Sequence, residues 1–331
     1  MSEESWDAVL PVMLRRAGLP ESGFAVAPLT GGVSSDIVRI TLSDGRLACA
    51  KRALKKLKVA SDWQAPLERN HYEVAWLRCA AAIVPGAAPK VFAEDQERGI
   101  ALLDYLPAED FLLWKTELLA GRADPKVPVK VADALGRIHA ATLHDTAVAA
   151  EFPTDHLIDA LRLDPYLRFT AGRHPEVADA ILGVLAKTAS TKLALVHGDV
   201  SPKNILVAKA DGHPVLLDAE CAWYGDPAFD AAFCLNHLLL KAVHMPAISA
   251  QLLQQANDFA EVWLAHFPAE LRTDLEARTA ALLPCLFLAR VDGKSPVEYL
   301  NDASRERVRQ LAIPLIQRPK SRLSEVIGAI G

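Results

Sequence analysis

Apolar and polar residues alternate in short stretches up to about residue 106, and apolar residues recur at helical spacing over most of the remainder. Residues 4–17 read as an amphipathic helix, stopped by Gly18 and Pro20. The stretch from just before Leu29 to Lys51 reads as three strands. A turn at 30–36 joins the first two, and Ser43-Asp44-Gly45 is a hairpin turn before the third. Helical spacing returns over 67–82, with Glu73 inside. Residues 90–93 and 99–106 form two further strands, separated by the polar stretch 94–98, and Pro107 ends the second. This predicts a five-stranded antiparallel sheet with one helix. From Phe111 onward the pattern is largely helical, over 129–142, 157–169, 176–189, 227–243, 248–266, 269–290 and 297–317. Pro165 marks a bend or break in the second of these.

Two apolar runs interrupt the helices, at 195–207 and 215–217, and read as short buried strands. Each is tied to polar groups that are costly to bury without a task. The first has Asp199 and, five residues on, Asn204; the second ends on Asp218, fourteen residues after Asn204. An acid, an amide and a second acid at this spacing suit magnesium-dependent phosphoryl transfer. One carboxylate orients and deprotonates a hydroxyl, while an amide and a carboxylate hold hard cations against phosphates.

Composition narrows the setting. The chain has 331 residues, 51% hydrophobic and 23% charged, as in an ordinary globular protein. No apolar run approaches the ~20 residues of a membrane span, and the acidic N-terminus lacks a secretory pattern, so a cytoplasmic location without membrane association is expected. Five cysteines without a CxxC pair predict small core residues rather than disulfides or zinc ligands. A formal net charge of −5 argues against nucleic acid as a partner.

His197-Gly198-Asp199 with Asn204, followed by Asp218-Ala219-Glu220, resembles the catalytic core of the aminoglycoside phosphotransferase and choline kinase superfamily. The likeness covers about residues 25–300 and is strongest at 195–232. It implies an α+β, protein-kinase-like two-lobe fold: a nucleotide-binding lobe of small antiparallel sheet over 1–105 and a mainly helical catalytic and acceptor lobe over 106–331. It also implies ATP and Mg2+ as cofactors, and a small-molecule hydroxyl acceptor such as a sugar, an aminoglycoside, an amino alcohol or a homoserine-like amino acid. A catalytically silent nucleotide-binding protein of this fold is the alternative, and a metal-dependent phosphohydrolase a third reading.

On this resemblance Asp199 is the catalytic base and Asn204 and Asp218 hold magnesium. Gly31, Gly32, Ser34 and Ser35 form the phosphate-facing turn, since glycine lets backbone N–H groups approach a phosphate. Lys51 grips the phosphates and Glu73 orients it, with Glu68 the rival. Asp104 and Leu106 offer backbone groups to the base. His197 reads as structural rather than as an acid or base, and Asp226 and Asp230 as supports of the loop. Lys203 either touches phosphate or pairs on the surface. Glu220 either assists the metal or faces the acceptor. Acceptor recognition is expected from 155–170 and 285–298, through Arg162, Asp164, Tyr166, Arg290 and Asp292. The alternative there is an ordinary loop with a surface salt bridge, including Lys294.

Overall fold

The alternating N-terminal stretches build one sheet in the computed structural model, which describes residues 4–29, 34–54 and 66–331. Gly31 and Gly32 of the expected phosphate turn therefore lie outside the described residues. The strands are β1 (Ala25–Leu29), β2 (Ser35–Thr41), β3 (Leu47–Ala53), β4 (Val91–Asp95) and β5 (Ile100–Asp104), all antiparallel in the order β1-β2-β3-β5-β4. Period two gives the sheet two different faces. Ala48, Ala50, Ile100 and Leu102 point one way and bury Val9, Leu10, Met13 and Leu14 of helix α1 (Trp6–Arg16). Arg52 stacks on Trp6, with its guanidinium 4.1 Å from the ring centroid, and clamps that helix to β3.

Ala101 and Leu103 point the other way. They join helix α2 (Arg69–Ile83) in a core that continues into the helical part of the chain. Val74, Trp76, Leu77 and Ala80 of α2 are buried there. The inner face of α2 thus serves the sheet and the helical part together.

Past Asp104 the chain forms further short strands as well as helices. β6 (Phe111–Leu113), β8 (Ile205–Ala208) and β9 (Pro214–Leu216) make a three-stranded sheet; β7 (Ala194–Val196) pairs with β10 (Trp223–Gly225). Two of these correct the sequence reading. Phe111–Leu113 was expected in helical territory but pairs with β8, and β10 was not foreseen. Three-residue strands are too short to carry a period, and only the partner strand reveals them.

The helices that matter most for the site are Lys126–Ala141, Ala228–His244, Ser249–Ala265 and Ala269–Asp292. Pro165 does not break its helix. Residues Asp159–Arg168 form a wide π-helix with Pro165 inside it, a form often found at functional sites. Helix Ala269–Asp292 runs on through Arg290 and Asp292, and the next helix starts at Asp302. The polar insertion expected at 290–298 is therefore displaced towards the C-terminus, to 293–301. Gly293 ends the helix with its N–H on the Ala289 carbonyl. All five cysteines are free, and Cys221, Cys234 and Cys285 are buried. Among the described residues, no single helix is long and apolar enough to cross a membrane.

Candidate active site

The pleat of β3 decides where Lys51 points. Cys49 and Lys51 lie on the face opposite Ala48 and Ala50, towards α2. Glu73 lies on the inward face of α2 beside Val74 and Leu77. The Lys51 ammonium donates to both Glu73 carboxylate oxygens at 2.7 and 2.8 Å, and to Asp218 Oδ1 at 2.5 Å. Glu68 is exposed and pairs with His156 at 2.7 Å, so Glu73 is the partner of Lys51. Burial opposes the charge on Lys51, but Asp218 and Glu73 outweigh it and hold the ammonium well above the usual lysine range. Burial likewise opposes the charge on Asp218, but Lys51 and Lys203 outweigh it and hold the carboxyl below the usual range. Both groups are therefore charged at neutral pH.

Asp218 and Asp199 reach the same region on loops that leave the short strands. Asp218 has φ of 67°, a left-handed conformation that Asp tolerates better than most residues. Gly198, with φ of 79°, has no room for a side chain: a Cβ there would sit 2.5 Å from the Cys221 carbonyl oxygen.

The loop is pinned from below. Asp230 accepts from the His197 N–H at 2.7 Å, the Gly198 N–H at 2.8 Å and His139 Nε2 at 3.1 Å. His139 Nδ1 accepts from the Trp263 indole at 3.1 Å. His197 Nδ1 accepts the Asp199 N–H at 3.1 Å, which assigns the proton to Nε2 for donation to the Leu217 carbonyl at 3.1 Å. Burial holds the His197 pKa down, against the pull of Asp230 and Asp199, so the ring is neutral. It ties the residue before Asp218 to Asp199, and the structural reading of His197 is the one this geometry supports. Asp226 accepts from the Ala228 N–H at 3.1 Å at the head of helix Ala228–His244 and is clamped by Arg278 at 2.7 Å.

Asp199 is buried between two cations, Arg162 at 2.8 Å and Lys203 at 3.1 Å. Burial would raise its pKa, but Lys203 and Arg162 prevail and lower it. Asn204 donates from its amide nitrogen to the Asp199 carbonyl at 3.1 Å, which directs its side-chain oxygen the other way. A hard cation suits that amide oxygen together with the ionised Asp218. Among the described residues, no group of three or more His, Cys, Asp or Glu side chains is placed to hold a metal. A magnesium ion shared with substrate phosphates needs only one or two protein ligands. This donor set fits that ion.

The other expected residues have partners within the protein. Arg162 pairs with Asp199 at 2.8 Å. It is buried in the π-helix and donates to the Gly198 carbonyl at 2.8 Å, bracing the loop and Asp199. Glu220 pairs with Arg69 of α2 at 2.9 Å. Asp164 pairs with Arg168 at 3.0 Å and Lys294 at 2.7 Å. The Asp104 N–H is committed to the Lys90 carbonyl at 2.8 Å, and Leu106 lies in the connection beyond β5. Ser34 and Ser35 are buried at the start of β2, where the Ser34 carbonyl accepts from Arg69 at 2.7 Å.

The placement of Asp292 in a loop is corrected. Asp292 is a buried helix residue held by Arg309 at 2.8 and 2.9 Å and by His174 at 2.9 Å. Burial would raise its pKa, but Arg309 and His174 lower it. Asp292→Ala is expected to cost about 1–3 kcal/mol, less than a fully buried pair because Arg309 is one-third exposed. A carboxyl whose pKa is lowered by folding stabilises above its unfolded pKa and loses that effect as pH falls through the folded one. The gap in melting temperature between wild type and variant should therefore be full at neutral pH and close below about pH 4. A gap independent of pH would refute the assignment.

A model of the phosphotransferase enzyme family matches residues 25–263. A methylthioribose kinase of Pectobacterium atrosepticum is 27% identical over 230 residues, covering 60% of this chain and 56% of that protein. One of Erwinia tasmaniensis is 23% identical over 249 residues, covering 64% and 60%. The chain thus spans less than two thirds of the length of these relatives. Among solved structures, an amicoumacin kinase in complex with AMP-PNP, Ca2+ and Ami aligns with a TM-score of 0.58 at 12% identity, over 91% of this chain and 90% of that one. A choline kinase of Streptococcus pneumoniae aligns at 0.51 and 15% identity, over 88% and 93%. At these identities the likeness is one of fold: the expected protein-kinase-like architecture of small antiparallel sheet and helical part.

Proposed function

Because the chain belongs to the phosphotransferase enzyme family, we propose that it transfers the γ-phosphoryl group of ATP to a hydroxyl of a small metabolite, with magnesium and in the cytoplasm. The observation that carries this is the Lys51–Glu73 pair meeting Asp218, with Asp199 and Asn204 on the adjoining loop. Residues 1–105 would serve the nucleotide and 106–331 the chemistry and the acceptor. Lys51, held by Glu73, would bind phosphate oxygens; Gly31, Gly32, Ser34 and Ser35 would approach them; backbone groups near Asp104 and Leu106 would meet the base. Asn204 and Asp218 would hold magnesium, which neutralises charge on the β- and γ-phosphate oxygens when bound.

Asp199 accepts a hydrogen bond from the acceptor hydroxyl and orients its oxygen towards phosphorus. A carboxylate with a lowered pKa cannot take a proton from an alcohol in the ground state. The proton moves to Asp199 only as the new O–P bond forms and the bond to ADP breaks. Positioning, rather than basicity, is the main contribution of this residue.

Calorimetry with a non-hydrolysable ATP analogue and magnesium tests this reading. Lys51→Met and Asp218→Ala should each weaken binding ~10–100-fold, the scale of a lost charge-assisted hydrogen bond. Lys51→Met with Glu73→Gln controls for the buried carboxylate that the single change leaves unpaired. Affinity equal to wild type in both single variants would exclude a nucleotide site between Lys51 and Asp218.

A further inference from the structure

A cavity of about 190 Å³ lies beside Asp199, Pro202 and Lys203. It is smaller than the ~300–1,000 Å³ that hold drug-sized ligands. The segments expected to choose the acceptor do reach it, through Tyr166, Arg290 and residues 295–298. Helix Ala228–His244 adds Phe233, His237 and Lys241, which the sequence reading had not assigned.

The charges around this cavity do not balance. Lys115, Lys203, Lys241 and Arg290 face Asp199 and Glu298. Each carboxylate already has a lysine: Asp199 has Lys203 at 3.1 Å, and Glu298 has Lys115. Lys241 and Arg290 are left over, and both are buried, at 1% and 9% exposure. Among the described residues Lys241 has only the His237 carbonyl at 3.5 Å and the face of the Tyr299 ring. Arg290 donates to the Tyr166 hydroxyl at 2.9 Å and the Ser295 carbonyl at 2.5 Å, both neutral. The Arg290 Nε and the Tyr299 hydroxyl are buried without a hydrogen-bond partner among the described residues.

A buried cation without a counter-ion is costly, and proteins rarely keep one without a task. Burial, with Lys115 and Arg290 nearby, brings Lys241 down to about 7, and burial with Arg290 and Lys241 holds His237 well below its ordinary value. A cationic acceptor would add a like charge. A neutral one would leave Arg290, and the charge Lys241 carries when protonated, without an anion.

We propose that the acceptor is a small hydroxylated compound carrying an anionic group, which Lys241 and Arg290 bind while its hydroxyl meets Asp199. This rests on the phosphotransferase reading above and names the acceptor class for that site. A carboxylate and a phosphate ester share the required chemistry, and the choice of acceptors separates them.

The experiment measures ADP release with Mg-ATP and a set of acceptors: glycerate and gluconate as hydroxycarboxylates, glycerol phosphate as a phosphate ester, glycerol and ribose as neutral compounds, and ethanolamine as a cation. Turnover is expected from anionic members alone. Lys241→Met and Arg290→Met should raise the KM of the accepted anion ~10–100-fold and leave the affinity for the Mg-ATP analogue unchanged. Lys241→Met removes a buried charge while keeping volume and loses only a 3.5 Å hydrogen bond and a ring contact, so it is the milder change where Arg290→Met, which loses hydrogen bonds, is destabilised. A neutral or cationic compound with a higher kcat/KM than every anion overturns the proposal and leaves the kinase reading intact. If no compound turns over, thermal-shift titration with the same hydroxycarboxylates and glycerol phosphate at fixed ionic strength decides. Saturable stabilisation that Lys241→Met abolishes supports the proposal; its absence, or its survival in that variant, overturns it. Failure of the Mg-ATP analogue to bind wild type would instead sink the kinase reading.

Discussion

Asp199→Asn is expected to fold, to bind the Mg-ATP analogue like wild type, and to lose ~10²–10⁴ in kcat, the scale of a positioned acid–base group. The substitution keeps the shape of the side chain but removes its charge and half of its accepting capacity. Arg162 at 2.8 Å and Lys203 at 3.1 Å then lose the anion that holds them. The acceptor hydroxyl loses both its orienting acceptor and the final destination of its proton. Nucleotide affinity should survive because the Lys51–Glu73–Asp218 cluster is untouched. Two assays separate these effects: calorimetry for the nucleotide, and ADP release at saturating acceptor for kcat. A variant within threefold of wild-type kcat would show that Asp199 is not the group that receives the proton.

The largest stability effect should come from Asp230→Ala, at about 3–5 kcal/mol. Asp230 is fully buried and serves the His197 and Gly198 amides and the His139 ring. Truncation leaves those donors buried without acceptors, each costing ~1–3 kcal/mol if nothing relaxes. Native proteins hold ~5–15 kcal/mol in all, so the loss is a large share of the total. Asp230→Asn should also destabilise, because its NH2 group would face backbone donors. That outcome separates lost hydrogen bonding from lost volume. Urea denaturation reads both variants, with the midpoint falling and the slope unchanged. A loss below about 1 kcal/mol for Asp230→Ala would mean the loop is held by other contacts.

Much of the site was legible because its signals are local. Lys51 was singled out because it ends the mainly apolar strand 47–50, and helical spacing around Val74 and Leu77 chose Glu73 over Glu68. His197, Asp199, Asn204 and Asp218 lie within one short stretch, where motif spacing and strand pattern reinforce each other. Asp230 was read as the acceptor for the loop backbone, and two amides do reach it.

What failed to show in the sequence depends on distant partners. Arg162 reads as an arginine near an acceptor segment, but it braces a carbonyl 36 residues away. Asp292 looked like a loop residue because Gly293 follows it, yet Arg309 and His174 bury it in an ion-pair cluster. His237 and Lys241 stand four residues apart with three leucines between them, which was a signal for the cavity beside Asp199. The amino-acid sequence by itself determined the five-stranded sheet, most of the helices, the lysine that ends the third strand and the acid–amide–acid constellation, because side-chain periodicity and short-range spacing follow from backbone geometry. Only the tertiary structure decided which charges neutralise one another and which stay unpaired, because that depends on through-space distances and burial that sequence separation does not encode.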